Sequence, residues 1–450
     1  MATQTRNSDP IVLWRAIAQA GSIQAYIDQQ LKERGFLVQR RETDNMSKSQ
    51  LSQYKKQLKE EAAERRRLKK EAWAAYKATH LVHLGEGVFW QDDHDFDKHD
   101  LPEPEARAQE NELPQLDNPK ALAEALEVSI PELRGLTYHR EAATRVNYTR
   151  FTIPKRSGGE RAIWAPMPRL KSAQRWILRE IVEHLPVHGA AHGFVPGRSI
   201  ASNAAVHTHS SMVLKMDLKD FFPTVTYRRV KGVFRKAGYR EQVATLLALL
   251  CTEPPREVVE HDGKTYFVAM GPRCLPQGAP TSPALTNALC MRLDRRLSGL
   301  ARKLGWRYTR YADDLTFSLP AASDTGKKKA KKKDDKATSN VAALMGGVKT
   351  ICAAEGFEVH KEKTRVARSG GRQAVTGLIV NGEGTPRVPR ALRRQLRAAI
   401  HNLSNGKPLK EGETLAQLAG YAAFVHMTNP ELGGQMLEDL GRIQQARAGQ

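Results

Sequence analysis

Three aspartates in two short segments are the residues best suited to chemistry: Asp217 in Lys215-Met216-Asp217-Leu218-Lys219-Asp220-Phe221-Phe222, and the pair in Tyr311-Ala312-Asp313-Asp314. A Mg²⁺ ion takes hard oxygen ligands in near-octahedral geometry, usually one or two carboxylates completed by phosphates and water. Two such ions roughly 3.5–4 Å apart can clamp the attacking and leaving oxygens of an in-line phosphoryl displacement. Carboxylates gathered without a cation repel one another and resist ionisation, so their clustering is costly unless a cation is bound. For the doublet alone, a solvated Asp-Asp turn is the plain alternative.

The flanking residues say which elements must carry these acids. Asp217 ends the apolar run Met212-Val213-Leu214-Lys215-Met216, which reads as a buried strand closed by a turn at Phe222-Pro223. Arg307-Tyr308-Thr309-Arg310 leads into the doublet and Leu315-Thr316-Phe317-Ser318 leads out with strand-like alternation. The result is a β-hairpin with both acids at its tip.

Other segments supply what phosphoryl transfer to a nucleotide would need. Phe151 to Ile163 reads as a hairpin turning at Gly158-Gly159, with Lys155 and Arg161 placed to converge on phosphate oxygens. Leu275-Pro276-Gln277-Gly278-Ala279-Pro280 is a turn opening a helix with Leu285, Leu289, Leu293 and Leu297 on one face. There Gly278 would let the backbone approach a ligand and Gln277 would offer an amide to a sugar or base. Pro389 to His401 predicts an amphipathic helix with Leu392, Leu396 and Ile400 inward and Arg393 and Arg397 outward, suited to tracking a nucleic-acid backbone.

The chain has 450 residues, enough for two or three domains, and its net charge of +22 with a pI near 9.9 points to a polyanion, nucleic acid first. A membrane partner is disfavoured: the longest apolar run, Val243 to Cys251, is too short to span, and the N-terminus does not read as a signal peptide. Cys251, Cys274, Cys290 and Cys352 show no zinc or disulfide spacing, which predicts a reducing, cytoplasmic setting.

Along the chain, residues 1–90 read as a charge-rich helical extension, with apolar spacing of helical period over 11–36 and a long basic helix over 47–80. Residues 91–118 read as an acidic, Pro-rich flexible linker, and 119–210 as a helical lead-in followed by the basic hairpin. The acidic strands occupy 211–370, interrupted by a lysine-rich insert expected to be disordered over 322–340. A basic helical region fills 371–450.

Taken together, Asp217 with Phe221-Phe222, Leu275-Pro276-Gln277-Gly278 and Tyr311-Ala312-Asp313-Asp314 resemble the palm of a reverse transcriptase. Asn203-Ala204-Ala205-Val206-His207 and Val375-Thr376-Gly377 match the N-A-x-x-H and V-T-G elements of the bacterial retron reverse transcriptases. The resemblance covers about residues 120–435. It implies an α+β, right-hand polymerase architecture of fingers, palm with antiparallel sheet and helical thumb, preceded by the helical extension. It also implies that Asp217 and Asp313 ligate two Mg²⁺ ions, for which Mn²⁺ can substitute, with Asp314 in support and the Leu218 carbonyl on the nucleotide-side ion. Phe222 would be the steric gate selecting dNTPs, Gln277 and Gly278 would meet the sugar or template, and Lys155 and Arg161 would cover the triphosphate. Asn203, His207, Val375, Thr376, Gly377, Arg390, Arg393 and Arg397 would hold RNA or template.

Members of that family copy a cognate structured non-coding RNA from an internal 2′-hydroxyl, giving a branched RNA-linked DNA, and many act with an effector protein against phage. No RNase H constellation is visible, so template removal would fall to a host RNase H. A group II intron-like or diversity-generating reverse transcriptase is the rival enzyme; the intron form would carry extensions after residue 435. A catalytically silent RNA-binding protein is the rival from another class, disfavoured by the presence of all three acids.

Overall fold

The computed structural model describes residues 9–44, 46–91, 96–154, 158–321, 330–382 and 384–448, with side chains left out over 330–339 and 447–448. Its centre is an antiparallel sheet in the order Arg365–Arg368, Ser210–Lys219, Asp314–Pro320, Arg307–Tyr311, with Glu358–Val359 pairing beside the end of the second strand. Met212, Leu214, Met216 and Leu218 alternate into one face of the strand Ser210–Lys219, and each is buried in the main core. Leu315 and Phe317 join them from the neighbouring strand. The period-two burial fixes the register, because a slip by one residue would turn this apolar set outward.

Helices cover that sheet. Glu241–Cys251 is buried along most of its length, with Tyr227–Lys236 and Pro168–Glu180 packed on it, while Ser282–Leu289 and Met291–Lys303 join the same core. The hairpin Tyr148–Pro154 with Glu160–Pro166 stands apart as its own two-stranded unit. Its outer strand is exposed beyond Tyr148, so little beyond its partner strand holds it. A second core gathers the C-terminal helices Arg390–Ser404, Leu415–His426 and Pro430–Ala448. Ala204 and Val213 from the first half of the chain insert into it.

The extension is three helices, Pro10–Gln19, Ile23–Glu33 and Lys48–Thr79, with a small core of Ile27, Leu31 and Leu68. Leu81 and Leu84, just past the long helix, enter the main core, and the His139 amide donates to the Leu84 carbonyl.

Two expectations from sequence are corrected. The acidic stretch is not a free linker where it is described: Asp97 is buried, accepts from the Gln242 amide and caps the helix Glu241–Cys251, while Asp100 pairs with Arg235. Local composition suggested disorder, but Asp97 holds the start of the helix Glu241–Cys251 and Asp100 meets Arg235 of the basic helix Tyr227–Lys236. The lysine-rich insert lies partly outside the described residues, and from Ala330 the chain is helical through Ala354. Ala and Lys are strong helix formers. Leu344, Val348 and Cys352, spaced four apart, are fully buried and anchor the helix downstream.

Candidate active site

The hairpin tip meets the end of the earlier strand. Asp217 stands directly opposite Asp314 in the ladder, and the Leu218 amide donates to the Asp313 carbonyl at 3.0 Å. Three carboxylates far apart in sequence thus share one corner of the sheet. Ala312, at the tip, holds a left-handed φ of 53°, a costly conformation for a residue with a Cβ.

A buried polar network behind the tip holds that conformation in place. The Arg310 guanidinium donates to Asp294 at 2.7 Å from Nη2 and to the Ala312 carbonyl at 3.2 Å from Nη1. Arg310 Nη1 also donates to Asn287 Oδ1, and Asn287 Nδ2 donates to the Gly193 carbonyl. Tyr308 donates its hydroxyl to the same Asp294. Gly193 packs so tightly that a Cβ there would lie 2.9 Å from the Ala312 nitrogen.

The electrostatics of the corner are those of crowded acids. Burial, with Asp217 and Asp314 nearby, pushes the Asp313 carboxyl up to about 6. Burial also raises Asp314, against the pull of Lys215. Lys363 donates to Asp217 at 2.8 Å, and that hydrogen bond raises the lysine. Lys215 Nζ lies 3.9 Å from Asp314. Among the described residues no three or more His, Cys, Asp or Glu side chains form a ready-made metal cluster. The corner is therefore an open set of hard oxygen donors, which fits cations whose remaining ligands come from phosphates and water.

Beside the acids lies a pocket of about 260 Å³, lined by Arg161, Phe194, Phe222, Gln277, Gly278 and Ser282 among others. The structure thus brings together four of the residues expected to hold a nucleotide, while Lys155 lies outside the described residues. Gly278 has a second reason for being glycine besides the one expected. At φ 122°, a Cβ there would sit 2.7 Å from the Trp164 carbonyl, so its being glycine also permits close contact with the hairpin strand. The Trp164 amide donates to the Gln277 carbonyl at 2.8 Å, completing that seam.

The N-A-x-x-H and V-T-G elements call for a firmer correction. Asn203, His207 and Val375 are fully buried and so cannot touch RNA directly. His207 shares hydrogen bonds with Ser318 at 2.8 Å and Thr309 at 2.7 Å, tying its helix to the two aspartate strands. Thr376 donates to the Ile200 carbonyl at 3.0 Å, and Thr376-Gly377 form a tight turn with φ of 46° and 86°. These elements join the C-terminal core to the sheet. Residue type signalled recognition, but burial assigns Asn203, His207 and Val375 to packing. In the helix Arg390–Ser404, Arg390 and Arg397 are exposed, whereas Arg393 is half-buried.

Three participants were not evident from sequence. Lys363 comes from a short turn with no periodicity to mark it. The Arg310–Asp294 pair sits in segments that read as ordinary strand and helix. Phe194, exposed at a φ of 57° with its ring centroid 6.1 Å from that of Tyr311, bridges the pocket and the hairpin tip. A glycine-flanked aromatic in Gly193-Phe194-Val195-Pro196-Gly197 was the only available signal.

The reverse transcriptase (RNA-dependent DNA polymerase) family matches residues 153–389, which contain the sheet, the pocket and the turn at Thr376. The retron Mx162 reverse transcriptase of Myxococcus xanthus is 51% identical over 96% of this chain and 89% of its own length. The retron Mx65 reverse transcriptase of the same organism is 46% identical over 74% of this chain and 73% of its own. The retron Ec86 reverse transcriptase of Escherichia coli is 30% identical over 70% and 85%. With the aspartate corner and its pocket in place, this similarity makes the chain a member of the retron reverse transcriptases, and so an RNA-directed DNA polymerase.

Proposed function

We propose that this enzyme copies part of a cognate structured non-coding RNA into single-stranded DNA, starting from an RNA 2′-hydroxyl, and takes part in anti-phage defence with an effector protein. Support comes from the retron relatives and from one geometric observation, Asp217 and Asp314 facing each other across paired strands. In this reading the aspartate sheet is the palm, the hairpin Tyr148–Pro154 with Glu160–Pro166 belongs to the fingers, and the helices from Arg390 onward are the thumb. Asp217, Asp313 and the Leu218 carbonyl, with Asp314 in support, would hold Mg²⁺, or Mn²⁺ in its place. When bound, the cations neutralise phosphate charge and lower the pKa of the attacking hydroxyl.

The chain's own residues do the rest. Phe222, in the lining of the pocket, is the steric gate that would exclude a ribose 2′-hydroxyl and so select dNTPs. Arg161 forks onto the triphosphate, and Gln277 contacts the sugar or template. The attacking hydroxyl gives its proton to solvent as its oxygen bonds to the α-phosphorus, the α–β bridging P–O bond breaks, and pyrophosphate departs. Lys215 and Lys363 balance the acids before substrate arrives, and would be released to phosphate oxygens if cations held the carboxylates. Thr376, Gly377, Arg390 and Arg397 remain exposed enough to touch RNA. Template removal is left to a host RNase H.

Primer extension by the purified protein, with and without Mg²⁺, tests the polymerase site. Sequencing the nucleic acid that co-purifies from cells tests the rest. One recurrent RNA covalently joined to DNA is expected, and recovery of random cellular RNA alone would overturn the retron part.

A further inference from the structure

The long helix Lys48–Thr79 carries charge in a pattern that neither folding nor the polymerase site requires. Lys55, Lys59, Arg66, Lys70 and Lys77 are exposed, and with Trp73 they follow one another at helical spacings of three, four or seven residues. One face therefore presents all of them. From Lys55 to Lys77 the stripe runs about 33 Å at ~1.5 Å per residue. No described residue forms an ion pair with any of these five cations.

Of the four acids of the same helix, Glu60 is exposed on the flank of the stripe and the other three pair with arginines. Glu61 is buried and pairs with Arg40 and Arg65, Glu64 pairs with Arg34 and Arg67, and Glu71 pairs with Arg67. A helix built only for solubility would intersperse its signs, with Glu four residues from Lys on the outer face. Here Lys56 and Glu60 are spaced so on the flank, but the stripe itself carries no acid, and near its end stands Trp73, 43% exposed, stacked on Tyr76 at 5.4 Å with Lys77 above its ring.

We infer that this face is a second RNA-binding surface, holding the phosphate backbone of a base-paired stem along the stripe, with Trp73 offered to an unpaired base beyond the stem. A row of cations at helical spacing suits a rigid polyanion, and an exposed aromatic ring suits an unstacked base. A lipid surface would call for an apolar face beneath the cations, whereas Trp73 is the one large apolar side chain on this stripe. The inference rests on the retron reading only for the identity of the RNA.

The full-length chain, its triple variant Lys59→Glu/Arg66→Glu/Lys70→Glu and the milder Lys59→Gln/Arg66→Gln/Lys70→Gln are titrated with an RNA hairpin bearing a single-stranded overhang across a salt series. The slope of log affinity against log salt is expected to fall by about 1 for each cation removed. Extension of a short generic primer–template should be unchanged, and so should the melting temperature. Slopes and affinities equal to those of the unmodified chain would overturn the inference. So would variants that keep RNA binding but lose binding to vesicles containing anionic lipid. An unmodified chain inert in primer extension, whose RNA slope still falls in the variants, would overturn the polymerase reading and leave this surface standing.

Discussion

The aspartate corner and the knot of Asn203, His207, Val375 and Thr376 are both built from short motifs, yet they treat polar groups in opposite ways. At the corner, like charges are held together, partly exposed, with a strained tip and two lysines as the nearest counter-charges. In the knot, Asn203 and His207 are fully enclosed and the histidine has a hydroxyl on each ring nitrogen. The first arrangement spends stability and leaves lone pairs for a ligand, which marks a site. In the second, both histidine ring nitrogens are used internally, which marks a joint.

Replacing an acid at the corner should break chemistry and spare the fold. Asp313→Asn is expected to lower primer-extension activity by about 10³-fold or more, since several kcal/mol of charge stabilisation is lost. Its melting temperature should stay level or rise, because repulsion from Asp217 and Asp314 is relieved. A comparable activity with a collapsed melting temperature would put the residue in the structural class instead.

Behind the corner the expectation reverses. Asp294→Ala would leave the fully buried Arg310 charge unpaired, at a cost of about 3–5 kcal/mol measurable by urea denaturation. Activity should fall with it, since the same guanidinium holds the Ala312 carbonyl.

The knot gives a pH signature opposite in sign to the corner's, where the raised Asp313 carboxyl favours folding as the pH falls. Burial, then Arg307 and His192, holds His207 down at about 3, against an ordinary value near 6.5 in the unfolded chain. The neutral ring is thus favoured by folding. Its contribution is complete above pH 6.5 and is lost as the pH falls, by about 1.4 kcal/mol per unit between pH 6 and 4. Denaturation curves for the unmodified chain and for His207→Asn should converge as the pH drops; parallel curves would mean that the ring is not buried neutral.

The smallest effect is expected at the surface. Arg397→Ala should change stability by less than about 0.5 kcal/mol and lower the salt slope of RNA binding by about 1. A larger loss of stability would mean that this arginine packs as Arg393 does.

Much of the site was legible because strand chemistry is local. The apolar run before Asp217 and the alternation after Asp313-Asp314 defined the strands, and the observed strands, Ser210–Lys219 and Arg307–Tyr311 with Asp314–Pro320, carry the acids where the pattern put them. The long helix Lys48–Thr79 was equally plain from its charge-dense pattern. What failed was inference from composition. Acidic and Pro-rich residues around Asp97 suggested a linker, and lysines around Lys333 suggested disorder, because composition cannot say which neighbour a segment meets.

The sequence by itself determined the types of the reactive groups, the strands that bear them and the basic balance of the chain, because these depend on residue identity and on periods of two and 3.6. Only the tertiary structure decided that Asp217 faces Asp314, that Lys363 and Arg310 serve that corner, and that His207 is a joint rather than a contact. Those outcomes depend on which surfaces lose water together, and burial is a property of neighbours distant along the chain.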